Sequence, residues 1–202
     1  MRTGVFGGSF DPIHYGHLLL AETARDQMNL DRVVFVPLGV PPHFKTNHTT
    51  CEDRYQMVSL AIEQYSGFLA SRYEIDSSGT SYTFKTLNHF RESYPNDELF
   101  LIVSSETFND LPNWRRPELI CELTSLIIAQ RADFPSPKFD LFQGIASLEK
   151  IESYKKQTIT MPHISLSSTL IRERVKAGES IRFLLPDSVI QYIVDKGLYS
   201  NQ

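Results

Sequence analysis

Apolar residues in this chain fall into short unbroken runs, separated by stretches with helical spacing. Residues 3–6, RVVFV at 32–36, ELFLIV at 98–103 and SLIIA at 125–129 each predict a buried strand. Runs without alternation suit strands covered on both faces. Residues 68–75 and 157–161 predict two more strands. Between these runs, residues 15–28 predict a helix whose Leu18, Leu19, Ala21 and Ala24 are apolar, and residues 52–65 predict a second. A turn at 77–81 leads into a third helix at about 82–94. Two further helices are expected near 168–177 and 187–196, the last closed by Gly197.

Strands that alternate with helices argue for the α/β class, with a Rossmann-like parallel sheet and helices on both faces. No repeat or low-complexity linker divides the 202 residues, so one domain is expected over 1–202. Residues 37–50 hold three prolines and no periodicity, which predicts a long loop of the kind that serves function. Residues 135–154 give the weakest signal.

Composition narrows the partners. A net charge of -4 offers no general basic surface, so a nucleic-acid tracker is disfavoured and any phosphate is bound locally. Cys51 and Cys121 lie outside any C-x-x-C, which indicates neither a disulfide framework nor a zinc knuckle. No run is long enough for a signal peptide or a membrane span, so a cytoplasmic address is expected.

The candidate chemistry begins at GVFGGSFDPIHYGHL, residues 4–18. In an open parallel sheet, ligands bind beyond the carboxyl ends of the strands. Glycines there let backbone N–H groups approach a ligand, and the following helix N-terminus suits phosphate. His14 and His17, one helical turn apart, would face the same anion. Each feature alone also has a plainer reading: a glycine turn, two unrelated histidines, or a metal pair with no third ligand nearby. Ser167 and Ser168 likewise read as a capped helix with a surface arginine at Arg172.

GGSFDPIHYGHL resembles the H-x-G-H signature of the nucleotidyltransferase superfamily, and the SSTLIR segment resembles its second phosphate motif. PPH at 41–43, SYTFKTL at 81–87 and LPNW at 111–114 extend the likeness to the bacterial nicotinate-nucleotide adenylyltransferase family over nearly the whole chain. The resemblance implies one nucleotidyltransferase domain, with the second phosphate motif and terminal helices in 163–202. It implies transfer of AMP from ATP to nicotinate mononucleotide, giving deamido-NAD and pyrophosphate, with Mg2+ accompanying ATP. No membrane or nucleic-acid partner is expected, and a homo-oligomer is possible.

On that resemblance His14, His17 and Arg172 are the catalytic residues. ATP would be held by Gly8, Ser9, Phe10, His14, His17, Glu106, Ser167, Ser168, Thr169 and Arg172. The mononucleotide would be held by Gly8, Ser9, His43, Lys45, Tyr82, Thr83 and Trp114, with the indole flat against the pyridine ring. No protein-held metal is implied. A phosphate monoester, with a second pKa of about 6, is already mostly dianionic at pH 7 and needs no general base. Catalysis is then positioning and charge stabilisation.

Three departures from the family pattern stand out. Phe44 separates His43 from Lys45, Ser104-Ser105-Glu106 replaces Gly-x-Asp, and Trp114 is followed by Arg115 and Arg116. The alternatives are an enzyme that adenylylates nicotinamide mononucleotide, another H-x-G-H adenylyltransferase, or a nucleotide-binding regulator with weakened turnover. SYTFKTL and LPNW speak against phosphopantetheine as acceptor.

Overall fold

A computed structural model describes residues 1–41, 48–130, 135–162 and 164–200. β1 (Arg2–Gly8) pairs in parallel with β2 (Arg32–Pro37) on one side and β4 (Glu98–Ser104) on the other. β3 (Phe68–Ala70) extends the sheet beyond β2, while β5 (Ser125–Gln130) and β6 (Thr158–Thr160) extend it beyond β4. The strand order is β3-β2-β1-β4-β5-β6, parallel throughout.

Successive strand residues serve opposite faces, as period two requires. Val5, Val34, Leu99, Leu101 and Val103 join one core, with α4 (Thr83–Ser93), α6 (Pro117–Leu123) and α7 (Leu148–Lys156). Phe6, Val33, Phe35, Phe100 and Ile102 join the other, with α1 (Tyr15–Gln27), α2 (Cys51–Ile62), α8 (Ser168–Lys176) and α9 (Asp187–Lys196). Phe35 and Phe100 are fully buried, each contributing roughly 1.5–3 kcal/mol. This is why the strands read as continuous apolar runs.

The strand expected over 68–75 stops at Ala70. Ser71 N–H still donates to the Phe35 carbonyl, but the next rung would need an N–H from Pro37, which proline lacks. The chain turns instead into the short α3 (Tyr73–Asp76). The stretch after β4, which gave no helical signal, forms α5 (Ser105–Asp110), a 3-10 turn at Leu111–Asn113, and α6. The weakly patterned 135–154 region contains a 3-10 turn at Phe139–Phe142 and most of α7, capped by the Ser147 hydroxyl.

β2 and β3 extend the sheet on one side of β1, and β4 to β6 on the other. The loops leaving β1 and β4 therefore diverge at the carboxyl edge, and a crevice opens between them. Among the described residues, no helix is long and apolar enough to cross a membrane.

Candidate active site

At the carboxyl end of β1 the chain turns tightly into α1. Phe10 adopts φ 48°, and its buried ring packs edge-on against Phe6 (5.4 Å) and His17 (5.1 Å). A Cβ on Gly8 would approach that ring to 2.9 Å, so glycine is needed for clearance.

His14 caps α1 and His17 is its third residue. Their rings stack with centroids 3.8 Å apart, and the His14 main-chain N–H donates to His17 Nδ1 at 3.3 Å. An accepting Nδ1 leaves the proton of neutral imidazole on Nε2, so His17 presents an Nε2–H donor.

The second motif docks directly on this loop. The Ser167 hydroxyl caps α8, accepting from Leu170 N–H at 3.1 Å. Ser168 Oγ donates to the Pro12 carbonyl, 156 positions away, at 2.8 Å. Arg172 Nη1 donates to the Asp11 carbonyl at 2.8 Å, and Nη2 reaches Thr169 Oγ1 at 3.2 Å. A cavity of about 210 Å³ opens between the two helix starts, lined by His14, Gly16, His17, Ser167 and Ser168 with apolar Leu20, Met161, Ile164 and Leu166. Two helix N-termini with their N–H donors at one cavity suit a polyphosphate.

Beneath the loop lies a polar layer that sequence reasoning missed. Asp11 Oδ2 accepts from His48 N–H at 2.6 Å, and Oδ1 accepts from Thr49 Oγ1 and Tyr199 OH at 2.7 Å each. Burial and the Asp11 charge push the Tyr199 hydroxyl far above its ordinary range, which keeps it a donor. Arg54, buried on the apolar stripe of α2, donates from Nη1 to the Ser9 carbonyl (2.9 Å) and from Nη2 to the Leu38 carbonyl (2.6 Å). Glu74 accepts from Thr86 Oγ1 at 2.6 Å and Gly39 N–H at 3.4 Å, and burial pushes its carboxyl up. The signal for Arg54 was an arginine in register with Met57, Val58 and Ala61. Tyr199 had no local signal.

The remaining candidates group elsewhere. Tyr82 caps α4 and Thr83 begins it, with no acidic residue in the first turn. Trp114 ends the 3-10 turn, its Nε1–H held by Asp110 Oδ2 at 3.1 Å. Arg116 lies over the Phe84 ring at 5.4 Å, which brings the segment after Trp114 beside the start of α4. Glu106 is exposed on the first turn of α5. His43 and Lys45 lie outside the described residues. Among those described, no group of three or more His, Cys, Asp or Glu side chains could hold a metal ion.

A family model described as cytidylyltransferase-like matches residues 5–174. A protein of Clostridium botulinum (strain Eklund 17B) named "Probable nicotinate-nucleotide adenylyltransferase" is 40% identical over 203 residues, covering 100% of this chain and 99% of its own. A Thermus thermophilus protein of the same name is 40% identical over 199 residues, covering 98% of this chain and 100% of its own. This chain belongs to the nicotinate-nucleotide adenylyltransferase family. The fold agrees with the structure of the Plasmodium falciparum nicotinic acid mononucleotide adenylyltransferase complexed with NaAD, at TM-score 0.77 and 21% identity, covering 98% of this chain and 97% of that one.

Within a nicotinate-nucleotide adenylyltransferase, the Ser104-Ser105-Glu106 departure acquires a local reason. Ser104 Oγ accepts from Thr107 N–H at 3.1 Å and lies 2.9 Å from Thr107 Oγ1, so the hydroxyl is engaged in capping α5. Glu106 is left on the exposed side of that first turn, where the positive end of the helix favours its charge.

Proposed function

We propose that this chain transfers the AMP moiety of ATP to nicotinate mononucleotide, giving deamido-NAD and pyrophosphate. The observation that carries the reading is the docking of α8 on the α1 loop. That docking gathers His14, His17, Ser167 and Ser168 around one cavity, with Arg172 anchored on the Asp11 carbonyl of the same loop.

An oxygen of the mononucleotide 5′-phosphate attacks the α-phosphorus of ATP. The bond to the bridging oxygen of the β-phosphate breaks, and pyrophosphate departs with that electron pair. ATP enters as its magnesium complex, and the ion neutralises part of the phosphate charge. His17 Nε2–H and His14 hold the α- and neighbouring phosphates as charge builds. Backbone N–H groups of Gly8, Ser9 and Phe10 meet phosphate where the substrates join. The start of α8, with Arg172, steadies the outer phosphates. Glu106 serves the ATP ribose. Tyr82, Thr83 and Trp114 receive the nicotinate end, with His43 and Lys45 on the mononucleotide side. A reducing cytoplasm suits the two free cysteines, Cys51 and Cys121.

Pyrophosphate release from ATP, measured with each candidate acceptor in turn, tests the reading. Release with nicotinate mononucleotide is expected. Release only with another acceptor reassigns the substrate, and none with any acceptor favours a regulator.

A further inference from the structure

We propose that Arg54 is a positioning residue for adenylyl transfer: its buried guanidinium fixes the peptides at the start of the loops after β1 and β2, and so presents the Phe10 N–H to phosphate. The inference rests on the function proposed above and adds to it a side chain of the second layer.

Arg54 is 1% exposed among Met57, Val58 and Ala61, where an apolar side chain would serve packing better. Taking a guanidinium out of water is costly unless its donors are well used. Its two terminal nitrogens go to main-chain carbonyls, Ser9 from the loop after β1 and Leu38 from the residue after β2. Burial pushes its pKa down, and the nearby Asp11 and Glu74 carboxyl groups offset part of that cost.

The geometry of those carbonyls matters more than the bonds themselves. The Ser9–Phe10 peptide is trans, so its N–H points opposite to its carbonyl. With the Ser9 carbonyl drawn down onto Arg54, the Phe10 N–H faces away from the guanidinium. It makes no hydrogen bond among the described residues. Phe10 sits at φ 48°, a region that a residue with a side chain holds only when its surroundings impose it. The Leu38–Gly39 peptide is gripped from both ends, its carbonyl by Arg54 and its N–H by Glu74. Leu38 N–H in turn donates to the Gly8 carbonyl at 2.9 Å. One fork thus sets two peptide planes across the two neighbouring loops.

A lysine would keep the charge but not the two-pronged geometry. We expect Arg54→Lys and Arg54→Gln to lower kcat by about tenfold or more, with KM for ATP and for the mononucleotide changed by less than about threefold. A merely structural arginine would lower the melting temperature and the fraction of active enzyme, but not turnover per active site. Folded variants with kcat within about threefold of the parent overturn the proposal. If neither variant folds, the Ser9–Phe10 amide can be replaced by an ester in full-length protein ligated at Cys51, with Arg54 intact. That ester removes the N–H donor and also weakens the carbonyl that Arg54 holds. A fall of about tenfold or more in kcat is expected, and retention of turnover overturns the proposal. Failure of the parent itself to release pyrophosphate would instead strike the proposed function.

Discussion

Tyr199 donates its hydroxyl to Asp11 across 188 positions of sequence, at 2.7 Å. The bond fastens the segment after α9 to the turn that precedes α1. Arg172 and Ser168 grip the same turn through the Asp11 and Pro12 carbonyls. The loop between β1 and α1 is thus held by side chains from residues that follow the last strand.

Removing that hydroxyl is expected to loosen the turn. Tyr199→Phe leaves Asp11 Oδ1 with Thr49 alone, and hydrogen bonds to a charged group contribute about 1.5–3 kcal/mol. Urea unfolding should show a loss of that order with an unchanged slope. A midpoint equal to the parent's would mean that water replaces the phenol without cost.

His17 is expected to carry the largest single catalytic effect. Its Nδ1 is engaged by the His14 N–H, which puts the ring proton on Nε2, where the proposed mechanism needs a donor. His17→Ala should lower kcat by roughly a hundredfold or more, the scale for one preorganised donor. Circular dichroism on the same sample checks the fold. Turnover close to the parent's would remove His17 from the reacting centre.

Ser104 and Glu106 are expected to separate into a structural and a binding role. Ser104→Ala should cost about 0.5–2 kcal/mol through the lost α5 cap, and Ser104→Gly only a few tenths. Glu106→Ala should raise KM for ATP more than KM for the mononucleotide. An unchanged ATP KM would make the longer carboxylate a bystander. The double change Ser104→Gly with Glu106→Asp should improve ATP use only if the serine crowds the ribose.

What was legible in the sequence followed from contiguity. GGSFDPIHYGHL places strand, glycine loop and both histidines in one short run, so local spacing sufficed to gather them. The two-sided strands were legible because each is buried on both faces. β3 was overextended because its end is decided by Pro37 on the neighbouring strand, which no local pattern at 71–75 reports. α5 and α6, of six and seven residues, are too short to display two turns of periodicity. Asp11 stood inside the quoted motif, yet its role is set by partners at 48, 49 and 199. Arg54 had a signal, a charge on an apolar stripe, whose meaning depends on two distant carbonyls.

The acceptor preference gives the sharpest prediction about the substrate. Nicotinate and nicotinamide mononucleotides differ by a carboxylate against an amide, so discrimination needs donors without a matching acceptor. α4 begins at Thr83 with Tyr82 as its cap, no side chain capping the first N–H groups, and no acidic residue in the first turn. Those N–H donors and the positive end of the helix favour an anion. Trp114 is half-buried, and the bond from its Nε1–H to Asp110 fixes the indole in one orientation. Arg116, over Phe84, adds positive charge beside the same helix start. Charge-assisted hydrogen bonds are about twice as strong as neutral ones. A preference for nicotinate mononucleotide of about tenfold or more, roughly 1.4 kcal/mol, is therefore expected in kcat/KM. Trp114→Ala should raise KM for both acceptors together, since stacking does not distinguish acid from amide. Equal kcat/KM values for the two mononucleotides in the parent enzyme would refute the nicotinate assignment while leaving adenylyl transfer intact.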